Sequence, residues 1–98
     1  MKIEHVEGKK KGKVMLYALS TCVWCNKTKK YLGELGIEYS YVNVDQLPEE
    51  QREEVEKEIM KWNPSCSFPT IVFNDSSCVV GYNPDEITSA LRSKSLDI

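Results

Sequence analysis

Short apolar runs and amphipathic stretches alternate along the first part of the chain. The run "KVMLYAL" at 13–19 is apolar almost throughout and is bounded by turn formers, which favours a buried strand over a helix. After Cys25, apolar positions recur at helical spacing while lysines fill the opposite face, and Gly36 stands where a helix C-cap belongs. The pattern therefore predicts a strand followed by a helix.

Strand and helix signals continue through the rest of the chain. The stretch "IEYSYVNVD" at 37–45 alternates as a second strand does. Pro48 and the two glutamates after it open a second helix, which Pro64 ends. The runs "TIVFN" and "CVVGY" around the turn "DSS" predict a β-hairpin. The capping pattern "NPDE" then opens a last helix that reaches about Ser93, so the predicted order is βαβαββα, an α/β fold.

The chain is predicted to form one domain behind a short extension. Residues 1–12 combine two glycines and a lysine run with little periodicity, which indicates a flexible extension with at most brief strand pairing between Ile3 and Val6. His5 is expected to be a solvated residue of this extension. The domain itself is assigned to 13–98, because 98 residues support a single core.

Composition narrows the class of protein. The chain carries 13 basic and 15 acidic side chains, and this balance argues against a nucleic-acid partner. It has neither a long apolar run nor an apolar segment near its start, so we expect a cytoplasmic protein that does not enter a membrane. Its four cysteines are a poor disulfide framework there, since cytosolic thiol pools keep structural pairs reduced.

Two of the cysteines, Cys22 and Cys25, stand three positions apart after the first strand. The Ser20-Thr21 pair before them is a candidate N-cap, which puts Cys22 in the first turn of the helix, where the dipole and unpaired N–H groups favour a thiolate. Cys25, one turn deeper, stays protonated until it resolves a mixed disulfide. The spacing therefore favours a dithiol electron carrier in which Cys22 is the nucleophile.

A metal site is the alternative for the same cysteines. A zinc site would combine the pair with Cys66 and Cys78, but four-sulfur sites usually contain two close pairs, and these two cysteines are far apart. Cys78 is more simply a small buried apolar residue, and Cys66 lies in a more open loop. A binding module that holds zinc or an iron–sulfur cluster through Cys22 and passes it on remains the competing function.

The aromatic residues differ in expected exposure. Trp24 lies between the two cysteines at a helix tip, where it is hard to bury, so it is a candidate contact for a partner. Trp62, at a helix end, is expected to anchor the core instead.

Together these motifs resemble the glutaredoxin family of the thioredoxin fold, over roughly residues 13–93. The resemblance is carried by a strand that leads into "TCVWC", by "FPT" at 68–70, and by "GY" before the last helix. It implies a four-stranded mixed sheet flanked by three helices and a thiol–disulfide oxidoreductase without a metal or bound cofactor. It also implies that Cys22 attacks disulfides and that Cys25 resolves them.

The family further implies where a substrate binds. The proline of the "FPT" motif is expected to be cis and to face the nucleophile, and backbone groups are expected to hold the bound thiol or peptide. The predicted substrate-binding residues are Trp24, Phe68, Pro69, Gly81 and Tyr82. The implied partners are disulfide-containing proteins and small thiols, and the protein is expected to be a monomer.

The chain departs from the family at positions that concern the electron donor. Glutathione-using members usually carry a lysine three residues before the nucleophile, where this chain has Leu19, and an acidic pair where it has "YNPDE". In this it is similar to redoxins that serve ribonucleotide reductase and take electrons from a thioredoxin-type reductase. It is also similar to glutaredoxin-like proteins of methanogenic archaea, which pair with other small thiols. The expected donor is thus a thioredoxin-type reductase or a small thiol such as glutathione or coenzyme M.

Overall fold

The computed structural model describes residues 3–10 and 12–94. The elements in chain order are β1 (Glu4–Val6), β2 (Val14–Ala18), α1 (Val23–Glu34), β3 (Tyr39–Asn43), a 3₁₀ turn (Val44–Gln46), α2 (Glu49–Trp62), β4 (Thr70–Phe73), β5 (Ser77–Val80) and α3 (Pro84–Lys94). From β2 onward this is the predicted order βαβαββα. Residues 95–98 of the predicted domain lie outside the described residues. No helix within the described ranges is long and apolar enough to span a bilayer.

The strands form one mixed sheet in the order β1-β3-β2-β4-β5. The central pair β2 and β3 is parallel, and the other three pairs are antiparallel. A mixed sheet flanked by three helices was expected, but the prediction of four strands is wrong by one. The additional strand is β1, which pairs with the outer edge of β3 from Glu4 opposite Tyr41 to Val6 opposite Tyr39. A strand of three residues is too short to show a period of two.

The N-terminal segment makes specific contacts beyond this pairing. The ring of His5 lies within hydrogen-bond distance of Ser40 Oγ through Nδ1, at 3.0 Å. Its Nε2 lies 3.2 Å from a carboxylate oxygen of Glu38. His5 is exposed, as expected, but pairing of β1 also places it beside polar residues of β3 and its approach.

Alternate residues of β2 contact the two layers of helices. Val14, Leu16 and Ala18 are buried in a cluster that also contains residues of α1 and α3. Met15 and Tyr17 point to the other face and pack against a cluster that contains residues of α2. A strand covered on both faces must be apolar throughout, which explains why "KVMLYAL" shows a continuous run rather than an alternation.

Local signals fix the ends of the elements. Gly36 follows α1 with φ of +69°, and its N–H donates to the Gly33 carbonyl at 3.0 Å, so the helix ends where the glycine predicts. The hairpin between β4 and β5 turns at Asn74 and Asp75, both with positive φ, as tight hairpin turns require. At the start of α3, the side chain of Asn83 accepts the Glu86 N–H at 3.3 Å, which confirms the predicted cap.

Candidate active site

The sheet topology brings three loops to one edge. Because β2 and β4 are antiparallel, with Tyr17 opposite Thr70, the chain leaves β2 beside the start of β4. The pairing of β4 with β5, with Thr70 opposite Val80, places the end of β5 at the same edge. The approach to α1, the entry to β4 and the exit from β5 therefore meet there, although they are far apart in sequence.

Cys22 lies at this edge as the N-cap of α1. Its backbone is extended, its Sγ accepts the Cys25 N–H at 3.2 Å, and its carbonyl accepts the Asn26 N–H at 3.0 Å. The helix thus begins two residues later than a cap at Ser20 would place it, and one residue later than a cap at Thr21 would, because the cysteine sulfur itself caps it. The first turn of α1 contains no acidic residue, so no carboxylate competes with the sulfur for the positive end of the helix.

Cys25 lies one turn deeper and is fully buried. Burial, together with the hydrogen bond to Cys22, raises the pKa of the Cys25 thiol to about 12. The half-buried Cys22 and the buried Cys25 are both free thiols. One thiol therefore meets solvent while the other stays protonated behind it.

The approach to Cys22 is held by Asp45, from the 3₁₀ turn before α2. One carboxylate oxygen accepts the Ser20 N–H at 2.9 Å, and the other accepts the Ser20 hydroxyl at 2.5 Å. These hydrogen bonds, led by the one from the hydroxyl, lower the pKa of Asp45. The sequence did not single out this contact, since it joins residues 25 positions apart.

A groove of about 290 Å³ opens beside Trp24, the residue that precedes Cys25. Its lining consists of Trp24, Phe68, Pro69, Gly81 and Tyr82. These are the five residues predicted to bind substrate, and the structure brings them together. The Phe68–Pro69 bond is cis, and the Pro69 carbonyl accepts the Gly81 N–H at 2.8 Å, which joins the two loops. Their role in binding a substrate stays a prediction.

Aromatic contacts shape the outer wall of the groove. Trp24 is 55% exposed, as its position between the cysteines predicted. Its ring stacks on Tyr82 at a centroid distance of 6.0 Å, and Tyr82 meets Tyr31 edge-on at 6.4 Å. The Tyr31 hydroxyl lies 2.6 Å from Thr88 Oγ1, so this wall is anchored to α3. Lys27 lies 4.6 Å above the Trp24 ring.

The loop that presents Phe68 is held by Asn63, which sequence reasoning missed. Asn63 is buried, and its Nδ2 donates to Ser67 Oγ at 3.0 Å and to Thr70 Oγ1 at 3.1 Å. Its Oδ1 accepts the Ser65 N–H at 3.2 Å. The only sequence signal is an asparagine before a proline, which indicates a turn but not a buried network.

The remaining cysteines are not part of the pair. Burial, and the nearby charge of Glu56, raise the pKa of Cys66. The thiol of Cys78 donates to the Trp62 carbonyl at 3.3 Å. All four cysteines lie within the described residues, and no three of them bring their sulfurs close enough to share an ion. The structure therefore does not support a four-sulfur zinc site.

Among the described residues, one cluster has the spacing of metal ligands: His5, Glu7 and Glu38, with ligand atoms within 4.8 Å of one another. Glu7 is almost fully exposed and the cluster lies on the β1 edge of the sheet, away from the cysteines. The carboxylates of Glu38 and Glu7 lie 3.2 and 3.8 Å from His5 Nε2. Such exposed pairs are common on protein surfaces and contribute little.

Comparison with known proteins agrees with this site. Residues 14–78 match the family described as glutaredoxin. A relative from Clostridium pasteurianum, described as an uncharacterized glutaredoxin-like 8.6 kDa protein in the rubredoxin operon, is 32% identical over 80 residues, which are 81% of this chain and 97% of the relative.

Solved structures extend the similarity to the whole fold. The glutaredoxin from Methanosarcina mazei Go1 has a TM-score of 0.87 and 47% identity, covering 93% of this chain and 88% of that one. Methanosarcina acetivorans methanoredoxin has a TM-score of 0.83 and 48% identity, covering 86% of this chain and 88% of that one. The thioredoxin-like architecture implied by the sequence is thus confirmed.

Proposed function

Because the chain belongs to the glutaredoxin family, we propose that it is a thiol–disulfide oxidoreductase that reduces disulfides through Cys22 and Cys25. The observation that carries the proposal is the arrangement of the two sulfurs. Cys22 is half-exposed at the start of α1, with its sulfur on a backbone N–H, while Cys25 is buried directly behind it.

In the first step, the Cys22 thiolate attacks one sulfur of the client disulfide. The client S–S bond breaks, a mixed disulfide forms on Cys22, and the other client sulfur leaves as a thiolate. The positive end of α1 and the Cys25 N–H stabilise the attacking thiolate without a metal or bound cofactor. The groove holds the client backbone beside Cys22.

In the second step, Cys25 attacks Cys22 and releases the second client thiol. Burial is the main cause of the raised pKa of Cys25, and the hydrogen bond to Cys22 and the charge of Cys22 add to it. Both contributions end once the Cys22 sulfur is bound in a mixed disulfide, so Cys25 can give its proton to a departing thiolate. The result is a Cys22–Cys25 disulfide and a reduced client, with two electrons transferred.

The proposed electron donor is one other than glutathione. Leu19 stands where glutathione-using relatives carry a lysine, and it packs against the α2 cluster together with Cys66. A lysine could give a glutathione carboxylate a charge-assisted hydrogen bond of about 1.5 to 3 kcal/mol, and a leucine cannot. The donors proposed are therefore a thioredoxin-type reductase or a small thiol such as coenzyme M, with glutathione less effective.

Single-turnover reduction of a peptide disulfide tests the proposal. Cys22→Ser should abolish reduction, and Cys25→Ser should accumulate a mixed disulfide that is visible by mass spectrometry. Cys78→Ser is the matched control and should reduce the peptide at the wild-type rate. Full turnover by Cys22→Ser would contradict the mechanism.

The donor is tested separately, on the oxidised protein. Glutathione, coenzyme M and a thioredoxin reductase are offered side by side, and the rate of thiol recovery is measured. Glutathione should be slow, and Leu19→Lys should accelerate it. Rapid reduction of the wild type by glutathione would contradict this part.

A further inference from the structure

The helices on the two faces of the sheet carry opposite charge. Helix α1, which begins at Cys22, contains three lysines and one glutamate. Helix α2, which packs on the opposite face, contains six glutamates and three basic residues. The whole chain has a net charge of −2, so the active-site helix provides a local positive field on an acidic protein.

A second cavity of about 240 Å³ lies next to the active-site groove, along α1. It is lined by Lys27, Lys30, Tyr31, Glu34 and Tyr82. Tyr82 lines both cavities, so its ring is their common wall. The groove is mainly aromatic and apolar, whereas the second cavity offers two lysines, two tyrosines and the single carboxylate of Glu34, so its lining carries a net positive charge.

The lysines of α1 are not equivalent. Lys29 donates to Asn43 Oδ1 at 3.1 Å and lies 4.4 Å from the Tyr41 ring, so it points to β3 and away from the cavity. Lys27 and Lys30 both line the second cavity, and Lys27 also lies over the ring of Trp24, which lines the groove. Positive charge is thus placed along one path that leads away from Cys22.

We propose that the groove and the second cavity together bind a segment of a client protein that carries an acidic side chain near its disulfide. This inference rests on the proposed function and names its substrate class. The chemistry of reduction is unchanged: Cys22 and Cys25 give two electrons to the client disulfide, and the acidic side chain takes no part in bond changes. The acid pairs with Lys27 and Lys30, while the backbone before it lies in the apolar groove.

The spacing of the acid follows from helix geometry. Lys27 and Lys30 come five and eight residues after Cys22, which corresponds to about 7 to 12 Å along a helix that rises 1.5 Å per residue. An extended segment advances about 3.3 Å per residue. The acid should therefore stand about two to four residues from the cysteine that Cys22 attacks. A segment of this length fills both cavities, which a small thiol does not.

Peptide disulfides that differ only at the third residue from the reacting cysteine test the proposal. Glutamate, glutamine and lysine are placed there, on either side of the cysteine, and kcat/KM is measured at low and high salt. We expect the glutamate peptide to exceed the lysine peptide by about tenfold at low ionic strength, since steering by charge operates on this scale. The ratio should shrink to about twofold or less near 0.5 M salt, where screening is strong.

Charge reversal locates the effect. The double variant Lys27→Glu/Lys30→Glu should invert the preference between the glutamate and lysine peptides. The matched control, Lys57→Glu/Lys61→Glu on α2, makes the same change in net charge and should keep the wild-type ratio. Circular dichroism and the melting temperature show that each variant is folded.

Several outcomes would overturn the inference. Equal kcat/KM for the three peptides, or an unchanged ratio in the α1 double variant, means that no acidic segment is recognised, while reduction itself still supports the proposed function. If oxidised 3-mercaptopropionate loses as much rate as the glutamate peptide in the α1 variant, the lysines recognise small anions rather than a protein segment. Failure to reduce any peptide would remove the proposed function as well.

Discussion

The starts of α1 and α2 use the same positive helix end for different purposes. In α2, Glu49 and Glu50 occupy the first turn, and Pro48 caps the helix without a side-chain hydrogen bond. In α1, the first turn contains no acid, and the Cys22 sulfur is the capping atom. Carboxylates at a helix start stabilise the fold. The start of α1 lacks that stabilisation, and its positive end faces the Cys22 thiol instead. The candidate site therefore lies at a helix start whose dipole no carboxylate compensates.

Asp45 joins the two starts. It lies in the turn before α2, yet its carboxylate binds Ser20, two residues before Cys22. The Asp45 carboxylate thus binds the loop that leads to α1 and not the first turn of the helix itself. The loop is held while the positive end of the helix stays available to the sulfur.

The largest expected effect is the difference in reactivity between the two thiols. Because the pKa of Cys25 is raised to about 12, only about one in 10⁵ of its thiols is ionised at pH 7. Iodoacetamide should modify Cys22 at least about 100-fold faster than Cys25 in the reduced protein. The rate at Cys25 should rise about tenfold per pH unit, because its thiolate fraction does. Mass spectrometry of peptides after timed alkylation between pH 6 and 9 measures both rates, and faster alkylation of Cys25 would reverse the assignment.

The next largest effect concerns the hydrogen bonds between Asp45, before α2, and Ser20, before α1. Asp45→Asn should lower the free energy of unfolding at pH 7 by about 0.5 to 1 kcal/mol, because the charge-assisted hydrogen bonds to Ser20 are weakened and solvent screens part of that loss at this exposed site. The pKa of Asp45 is lowered in the folded state, so its contribution is present above the unfolded value of about 3.9 and is lost as pH falls through the folded one. Urea unfolding at pH 7, 5 and 3 should show wild type and variant converge at the acid end.

A matched control uses the other aspartate that meets a polar partner. Asp75 pairs with Lys13 at 2.9 Å, but both side chains are mostly exposed. Asp75→Asn keeps a residue that tolerates its positive φ and should change stability by less than about 0.5 kcal/mol. Equal losses for the two variants would mean that Asp45 is only another surface charge.

A smaller effect on stability and on Cys22 reactivity is expected when an acidic residue is placed in the first turn of α1, as in α2. Val23, the first residue of α1, is 63% exposed, so Val23→Asp should disturb little packing. The new carboxylate should stabilise the protein by about 0.3 to 1 kcal/mol and slow alkylation of Cys22 by about two- to fivefold. Val23→Asn is the neutral control of the same shape. Stability and reactivity that rise together would contradict the comparison of the two starts.

The smallest effect is expected at α2. Glu50→Gln removes one acid from its first turn and should lower the free energy of unfolding by about 0.3 to 0.5 kcal/mol. Alkylation of Cys22 should stay at the wild-type rate, because the residue belongs to the other helix. A change in that rate would show that the two helix starts are electrostatically coupled.

Local sequence signals located much of this structure. Gly36 ended α1, Asn83 capped α3, and the apolar run of β2 indicated a buried strand. The groove residues were also found, since the family motifs name residues in each of the loops that meet there. Each of these signals is carried by adjacent residues or by a motif.

What escaped prediction depends on contacts between distant segments. Strand β1 was expected only as brief pairing between Ile3 and Val6, and it becomes a fifth strand of the sheet because β3 offers it an unpaired edge. The bonds of Asn63 to the entry of β4, and those of Asp45 to Ser20, likewise exist only once the chain is folded. The cap of α1 was placed too early because serine and threonine are the usual capping residues, whereas here a sulfur takes that place.

The position of Trp24 between Cys22 and Cys25 should allow the redox state of this pair to be followed by tryptophan fluorescence. The chain has two tryptophans, and only Trp24 lies between the cysteines, whereas Trp62 lies at the end of α2. A disulfide accepts an electron from an excited indole more readily than two thiols do, so emission from Trp24 should fall on oxidation while Trp62 supplies a constant background. Intrinsic fluorescence thus offers a label-free record of each turnover.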